Sequence, residues 1–160
     1  MKQKMYLSKI LTIDDILSHI TAAGRNDLIR QIARHMATRS SHLTADELEQ
    51  ILLEREKIQS TAMGESIAIP HGRSAVLSEP LCCLARSPQG VPFGASDGSL
   101  THLFFTVITP ESEMHTHIQV LGQISRLFGH ADMKTRLLEA DDAHAMHDVL
   151  VAFDETKGKG

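Results

Sequence analysis

Six successive residues of high strand propensity, Leu103-Phe-Phe-Thr-Val-Ile108, closed by Pro110, form the strongest strand signal in the chain. Any fold must be built around that strand. A second continuous apolar run, Leu81 to Ala85, suits a buried strand. Two shorter segments accompany them. Ile67-Ala-Ile69 reads as a strand stopped by Pro70, whose nitrogen cannot donate to a ladder. Val91-Pro-Phe93 follows a Pro88-Gln-Gly90 turn and reads as an edge strand.

Helical patterns flank this strand-rich middle. Thr12 can cap a short helix carrying Ile13, Ile16, Leu17 and Ile20, and Gly24 breaks the pattern. A second helix is predicted from about Asn26, with Leu28, Ile29, Ile32, Ala33 and Met36 on one face. Thr44-Ala-Asp-Glu47 has capping-box form: the Thr oxygen takes an orphan backbone N–H and the Glu reaches back. The helix it opens carries Leu48, Ile51 and Leu52 and ends near Arg55-Glu56. After the strands, a helix from about Ser112 shows the stripe His117, Leu121, Ile124 and Phe128. Asp132 can cap a helix through Leu138, and Asp141 or Asp142 another through Phe153. The order predicts an α/β fold, a mixed β-sheet sandwiched between helices on both faces. One domain spans residues 1–155, followed by a disordered tail at 156–160.

The 160 residues are enough for one buried core. A formal net charge of -4 argues against a nucleic-acid partner. No apolar run approaches the roughly 18 residues that span a bilayer. The start, Met1 to Tyr6, is followed by no apolar segment of signal-peptide type. The only cysteines, Cys82 and Cys83, are adjacent and ill-placed for an ordinary disulfide, so a reducing cytoplasm is expected. The ten histidines are the unusual feature.

One of them, His71, has informative surroundings. It follows the Ile67–Ile69 strand, with Pro70 stiffening the approach and Gly72 allowing close backbone contact. Ser60 and Thr61 offer hydroxyls and N–H donors just before the strand. Arg55 offers a planar fork suited to phosphate. A neutral imidazole is a good nucleophile near pH 7, and donors around it stabilise an incoming phosphoryl group.

Arg55-Glu56, Ser60-Thr61, Gly64 and Ile67-Ala-Ile-Pro-His71-Gly-Arg73 together resemble the active-site signature of type-2 enzyme IIA domains of the sugar phosphotransferase system. That is the mannitol/fructose class, and the chain is most similar to its nitrogen-related, stand-alone branch. The resemblance extends over about Leu7 to Phe153, including Pro110 and Thr116-His117-Ile118. It implies that His71 accepts a phosphoryl group and that His117 lies beside it as an orienting group. It also implies that Arg55 and Thr61, with Ser60 adjoining, line the phosphate site. The expected donor is an HPr-type phosphocarrier, and the expected recipient an enzyme IIB domain or a regulated target protein. No cofactor, metal or membrane insertion is implied. Arg73 and His102 are candidates for a partner-facing rim, and His102 occupies a position that is usually acidic or polar in the family.

Other readings stand beside this one. His115 shares the helix start with His117 but lies off its stripe. His115, His117, His71 and His102 could supply nitrogens to a metal module, although no His-Glu-x-x-His is present. A regulatory carrier and the IIA subunit of a split sugar transporter share the same chemistry. His19, His35, His42, His130, His144 and His147 are expected on the solvated surface.

Overall fold

The computed structural model describes residues 5–156. In chain order these form α1 (Leu7–Ile10), a 3-10 turn (Ile13–Asp15), β1 (Ile16–Leu17), α2 (Arg25–Thr38) and α3 (Ala45–Ile58). Then come β2 (Ala62–Gly64), β3 (Ile67–Ala68), β4 (His71–Ser74), β5 (Leu81–Pro92) and β6 (Leu100–Pro110). The chain closes with α4 (Met114–Gly129), α5 (Ala131–Glu139) and α6 (Ala143–Thr156). The sheet runs β1-β5-β6-β3-β2, with β4 also paired to β6. It is mixed: β5 is antiparallel to β6, whereas β1–β5, β3–β6 and β4–β6 are parallel.

Period-two alternation along β6 divides the core into two layers. Leu103, Phe105 and Val107 face a cluster formed by α1, α4, α5 and α6. Phe104 and Ile108 face α2 and α3 through Leu28, Ile32, Leu48 and Leu52. The expected sandwich is therefore the observed one. Phe93 packs edge-on to Phe104, with ring centroids 5.1 Å apart.

Several local expectations hold at atomic detail. Thr44 Oγ1 accepts from Glu47 N–H at 3.1 Å, and Glu47 Oε1 accepts from Thr44 N–H at 3.2 Å. Gly24 stands at the N-cap of α2. Asp142, not Asp141, caps α6 by accepting from Ala145 N–H at 2.8 Å.

Other expectations need correction. The helix expected after Thr12 is only the 3-10 turn, because Ile16 and Leu17 are drawn into the sheet opposite Leu84 and Ala85. Asp15, which accepts from Thr12 N–H, is also ion-paired with Arg39 at 2.9 Å and so fixes the turn to α2. β3 does end ahead of Pro70, at Ala68, but a new strand, β4, opens at once at His71. The pairing offset to β6 is the same in β3 (Ile67 with Leu103) and in β4 (His71 with Val107). Pro70 accepts from Val107 N–H at 3.1 Å but returns no donor, so the ladder lapses and resumes in register. Val91 and Pro92 are not an edge strand but the far end of β5, displaced by a register shift after Arg86 and paired with Thr101 and Leu100. The α3 helix runs past Arg55-Glu56 to Ile58. Thr156 closes α6, and the remainder of the expected tail, with Met1 to Lys4, lies outside the described residues. Among the described residues no helix is long and apolar enough to cross a membrane.

Two of the expected surface histidines are half-buried instead. His35 Nε2 lies 2.7 Å from the Asp14 carbonyl, and His147 Nε2 lies 3.1 Å and 3.0 Å from the carbonyls of Ser8 and Leu11. Each ties a helix to the N-terminal segment.

Candidate active site

His71 opens β4, within the sheet rather than in a loop beyond it. The C-terminal end of β6 lies alongside, and α4 folds back over that end to present His117. The two imidazoles stand with centroids 5.8 Å apart and planes inclined at 53°.

Each ring is held by its Nδ1. His71 Nδ1 lies 2.7 Å from the Ile69 carbonyl oxygen. A carbonyl only accepts, so Nδ1 carries the proton and Nε2 keeps its lone pair. His117 Nδ1 lies 2.6 Å from Thr109 Oγ1. That hydroxyl is fully buried and has no other hydrogen-bond partner among the described residues. Donating to Nδ1 satisfies its proton and leaves the His117 proton on Nε2.

Both rings favour the neutral form. Burial holds His71 below the usual histidine value; the Ile69 bond opposes this, and the Arg55 charge lowers it further. Burial also lowers His117, helped by His71 and Arg73. A neutral, partly desolvated imidazole with one fixed proton is a directed nucleophile.

Arg55 lines two adjoining depressions with His71. One is shared with Arg73, Glu111 and His117, and the other with Ser60 and Thr61. Arg55 Nη1 donates to the Gln59 carbonyl at 2.8 Å, which fastens the C-terminal end of α3. Gly72 makes this proximity feasible: a Cβ there would overlap Ile51 Cγ2 on α3. Ser60 Oγ donates to the Phe93 carbonyl at 3.0 Å and accepts from Ala62 N–H at 3.1 Å. Thr61 gives both its N–H, at 3.0 Å, and its hydroxyl to the Glu56 carboxylate. The two hydroxyls are thus engaged in shaping the loop beside His71.

Arg73 is exposed at the rim, with Nη1 3.9 Å from Met114 Sδ. His102 is not brought to this end. It lies five positions from Val107 along β6, roughly 16 Å away at about 3.3 Å per residue, with Nδ1 3.2 Å from Ser66 Oγ. His115 is exposed and lines neither depression. Among the described residues no group of three or more His, Cys, Asp or Glu side chains could hold a metal ion.

Sequence reasoning missed Thr109 and the use of Glu56. Thr109 looks like one more β-branched strand residue, and only the return of α4 gives it a partner. Glu56 stood in the Arg-Glu pair but read as the end of a helix.

Residues 9–152 match the family model described as "Phosphoenolpyruvate-dependent sugar phosphotransferase system, EIIA 2". A nitrogen regulatory protein of Pseudomonas aeruginosa is 31% identical over 145 residues, covering 91% of this chain and 94% of that protein. A fructose-specific EIIA component from Haloferax volcanii is 37% identical over 104 residues, covering 65% and 68%. The crystal structure of the nitrogen regulatory protein IIA-Ntr from Neisseria meningitidis superposes with a TM-score of 0.84 at 26% identity, covering 90% of this chain and 98% of that one.

Proposed function

The chain belongs to the phosphoenolpyruvate-dependent sugar phosphotransferase system EIIA 2 family, and from that premise we propose that it is a phosphoryl carrier whose acceptor atom is His71 Nε2. The observation that carries this reading is the bond from His71 Nδ1 to the Ile69 carbonyl, which directs the lone pair outward. The donor is an HPr-type phosphocarrier bearing phosphohistidine. As His71 Nε2 forms its bond to phosphorus, the donor's P–N bond breaks and its electron pair returns to the donor imidazole. The His71 ring gains positive charge, which the Ile69 carbonyl stabilises through the retained Nδ1 proton.

Arg55 supplies cationic stabilisation to the phosphoryl oxygens, while Ser60 and Thr61 shape the wall of that site. His117 donates from Nε2 to a phosphoryl oxygen and assists its departure. Arg73 stands at the rim that the partner approaches. The recipient is an EIIB domain or a regulated protein. Likeness to a nitrogen regulatory protein over nearly the whole chain favours a regulatory role. The higher identity to a fructose-specific EIIA component over a shorter stretch favours a second reading, the IIA subunit of a split transporter.

Incubation with phosphoenolpyruvate, enzyme I and an HPr-type carrier tests the reading by intact mass. One phosphoryl group is expected, labile in acid, stable in base and mapped to His71 Nε2. His71→Ala should abolish it with an unchanged circular dichroism spectrum. Undiminished phosphorylation of that variant would remove His71 from its role. Onward transfer to a fructose-type EIIB domain separates the two recipients.

A further inference from the structure

We infer that Glu56, a buried carboxylate on α3, is a positioning residue that fixes the tautomer of His71 through a relay of hydrogen bonds. Glu56 is only 3% exposed. Among the described residues it enters no ion pair, and its hydrogen bonds come from Thr61 alone. Thr61 N–H donates to Oε2 at 3.0 Å and the Thr61 hydroxyl donates to Oε1. The Thr61 carbonyl then accepts from Ile69 N–H at 3.1 Å. The Ile69 carbonyl accepts the Nδ1 proton of His71 at 2.7 Å. The relay therefore runs Glu56, Thr61, Ile69, His71, each residue being held by the one before it.

A buried carboxylate is costly unless its oxygens are bonded, so its presence calls for a use. Simple closure of the loop after α3 needs only one acceptor for the Thr61 N–H. Glu56 engages both donors of Thr61 and so fixes the rotation of the residue whose carbonyl holds Ile69. Ile69 is the last residue before Pro70, where the β6 ladder lapses. The bond from Ile69 N–H to the Thr61 carbonyl continues the antiparallel β2–β3 pairing, in which Ala62 stands opposite Ala68, and so holds the residue whose carbonyl selects the His71 tautomer. Which ring nitrogen of a histidine is free is set by the bond its other nitrogen makes. A group acts on reactivity through that bond without touching the reacting atoms.

The inference rests on the acceptor role proposed for His71 only where rates are read. Two substitutions separate reach from charge. Glu56→Asp keeps the charge but withdraws the carboxylate by one methylene. Glu56→Gln keeps the reach: its carbonyl can accept from Thr61 N–H and its amide can donate to the Thr61 oxygen. The His71 ring nitrogens are read by 15N NMR without any phosphate donor, at a pH where the ring is neutral. Wild type and Glu56→Gln should show a protonated Nδ1 and an unprotonated Nε2. In Glu56→Asp the two shifts should move toward each other as the tautomers mix. The phosphorylation rate at saturating HPr-type donor should then fall roughly tenfold or more in Glu56→Asp, with the donor KM unchanged. Wild-type shifts in Glu56→Asp would overturn the inference. So would a displaced Glu56→Gln beside a normal Glu56→Asp, which would assign the effect to charge. If the wild-type protein took no phosphate, the carrier reading would fail while the NMR shifts still decided the role of Glu56.

Discussion

His71 and His117 face one another across 5.8 Å, His71 anchored through Nδ1 to the Ile69 carbonyl just before its own strand and His117, on α4, anchored through Nδ1 to the Thr109 hydroxyl of β6. The anchors differ in kind. A carbonyl takes the proton of His71, whereas a hydroxyl can give its proton to His117. The pair is thereby divided into an Nε2 lone pair and an Nε2 proton, a polarity suited to an acceptor beside a donor.

That division predicts unequal effects of mutation. His117→Ala should leave His71 able to accept phosphate slowly, while onward transfer falls by roughly 10²-fold or more. Thr109→Val, nearly isosteric, should produce the same bias more mildly by releasing the His117 tautomer. Rapid-quench transfer rates in both directions provide the check. Wild-type rates for both variants would make His117 structural, and a defect confined to His115→Ala would transfer the role to that residue.

Burial depresses the His71 pKa, so its neutral form should persist as the pH falls through the usual histidine value. Below that value the unfolded chain binds the proton more readily. The stabilising contribution is therefore complete above the ordinary pKa and is lost as the pH falls through the folded one. The 1H NMR titration of His71 should have its midpoint below the ordinary value. Arg55→Gln should raise that midpoint, because the guanidinium charge also lowers it. A midpoint at or above the free-histidine value would rule out desolvation as the dominant influence.

Gly72→Ala should destabilise the fold by about 1–3 kcal/mol, because the new methyl overlaps Ile51 Cγ2. It should also slow phosphorylation by moving α3, and with it Arg55, away from His71. In an Ile51→Ala background the same change should cost less, with a coupling of at least about 0.5 kcal/mol in a double-mutant cycle. Strict additivity by denaturant unfolding would show that α3 does not depend on this contact.

Arg73 is exposed beside the site, although the chain as a whole carries a net charge of -4. If it steers the donor, Arg73→Glu should slow acceptance more at low salt than at high salt, since screening sets in beyond about 10 Å at about 0.1 M. The transfer rate across a salt series measures this. An equal deficit at every salt concentration would mean that Arg73 acts at short range.

The sequence by itself determined what depends on neighbours a few positions away. Thr44 and Glu47 close their capping box within one turn, and the β6 pattern needs no distant partner to read as a strand. The layered order of helices, strands and helices followed from those local signals. The ordered set from Arg55 to Arg73 likewise lies close enough in the chain to identify the family. Tertiary structure decided wherever a residue had two local options. Thr12 and Asp15 form a capping arrangement that can open a helix, but pairing of Ile16 with Leu84 and the bond of Asp15 to Arg39 draw the chain into the sheet. Pro70 removes a donor, but β6 supplies the same register on either side of it, so His71 lies in a strand. His102 and Arg73 looked alike as rim residues, yet β6 carries His102 to the other end of the sheet. Thr109 and Glu56 acquired their partners only through the packing of α4 and the turn after α3. Periodicity and capping are short-range and legible in one dimension. The proton on His117 depends on the Thr109 hydroxyl, which only the return of α4 over the end of β6 brings within 3 Å.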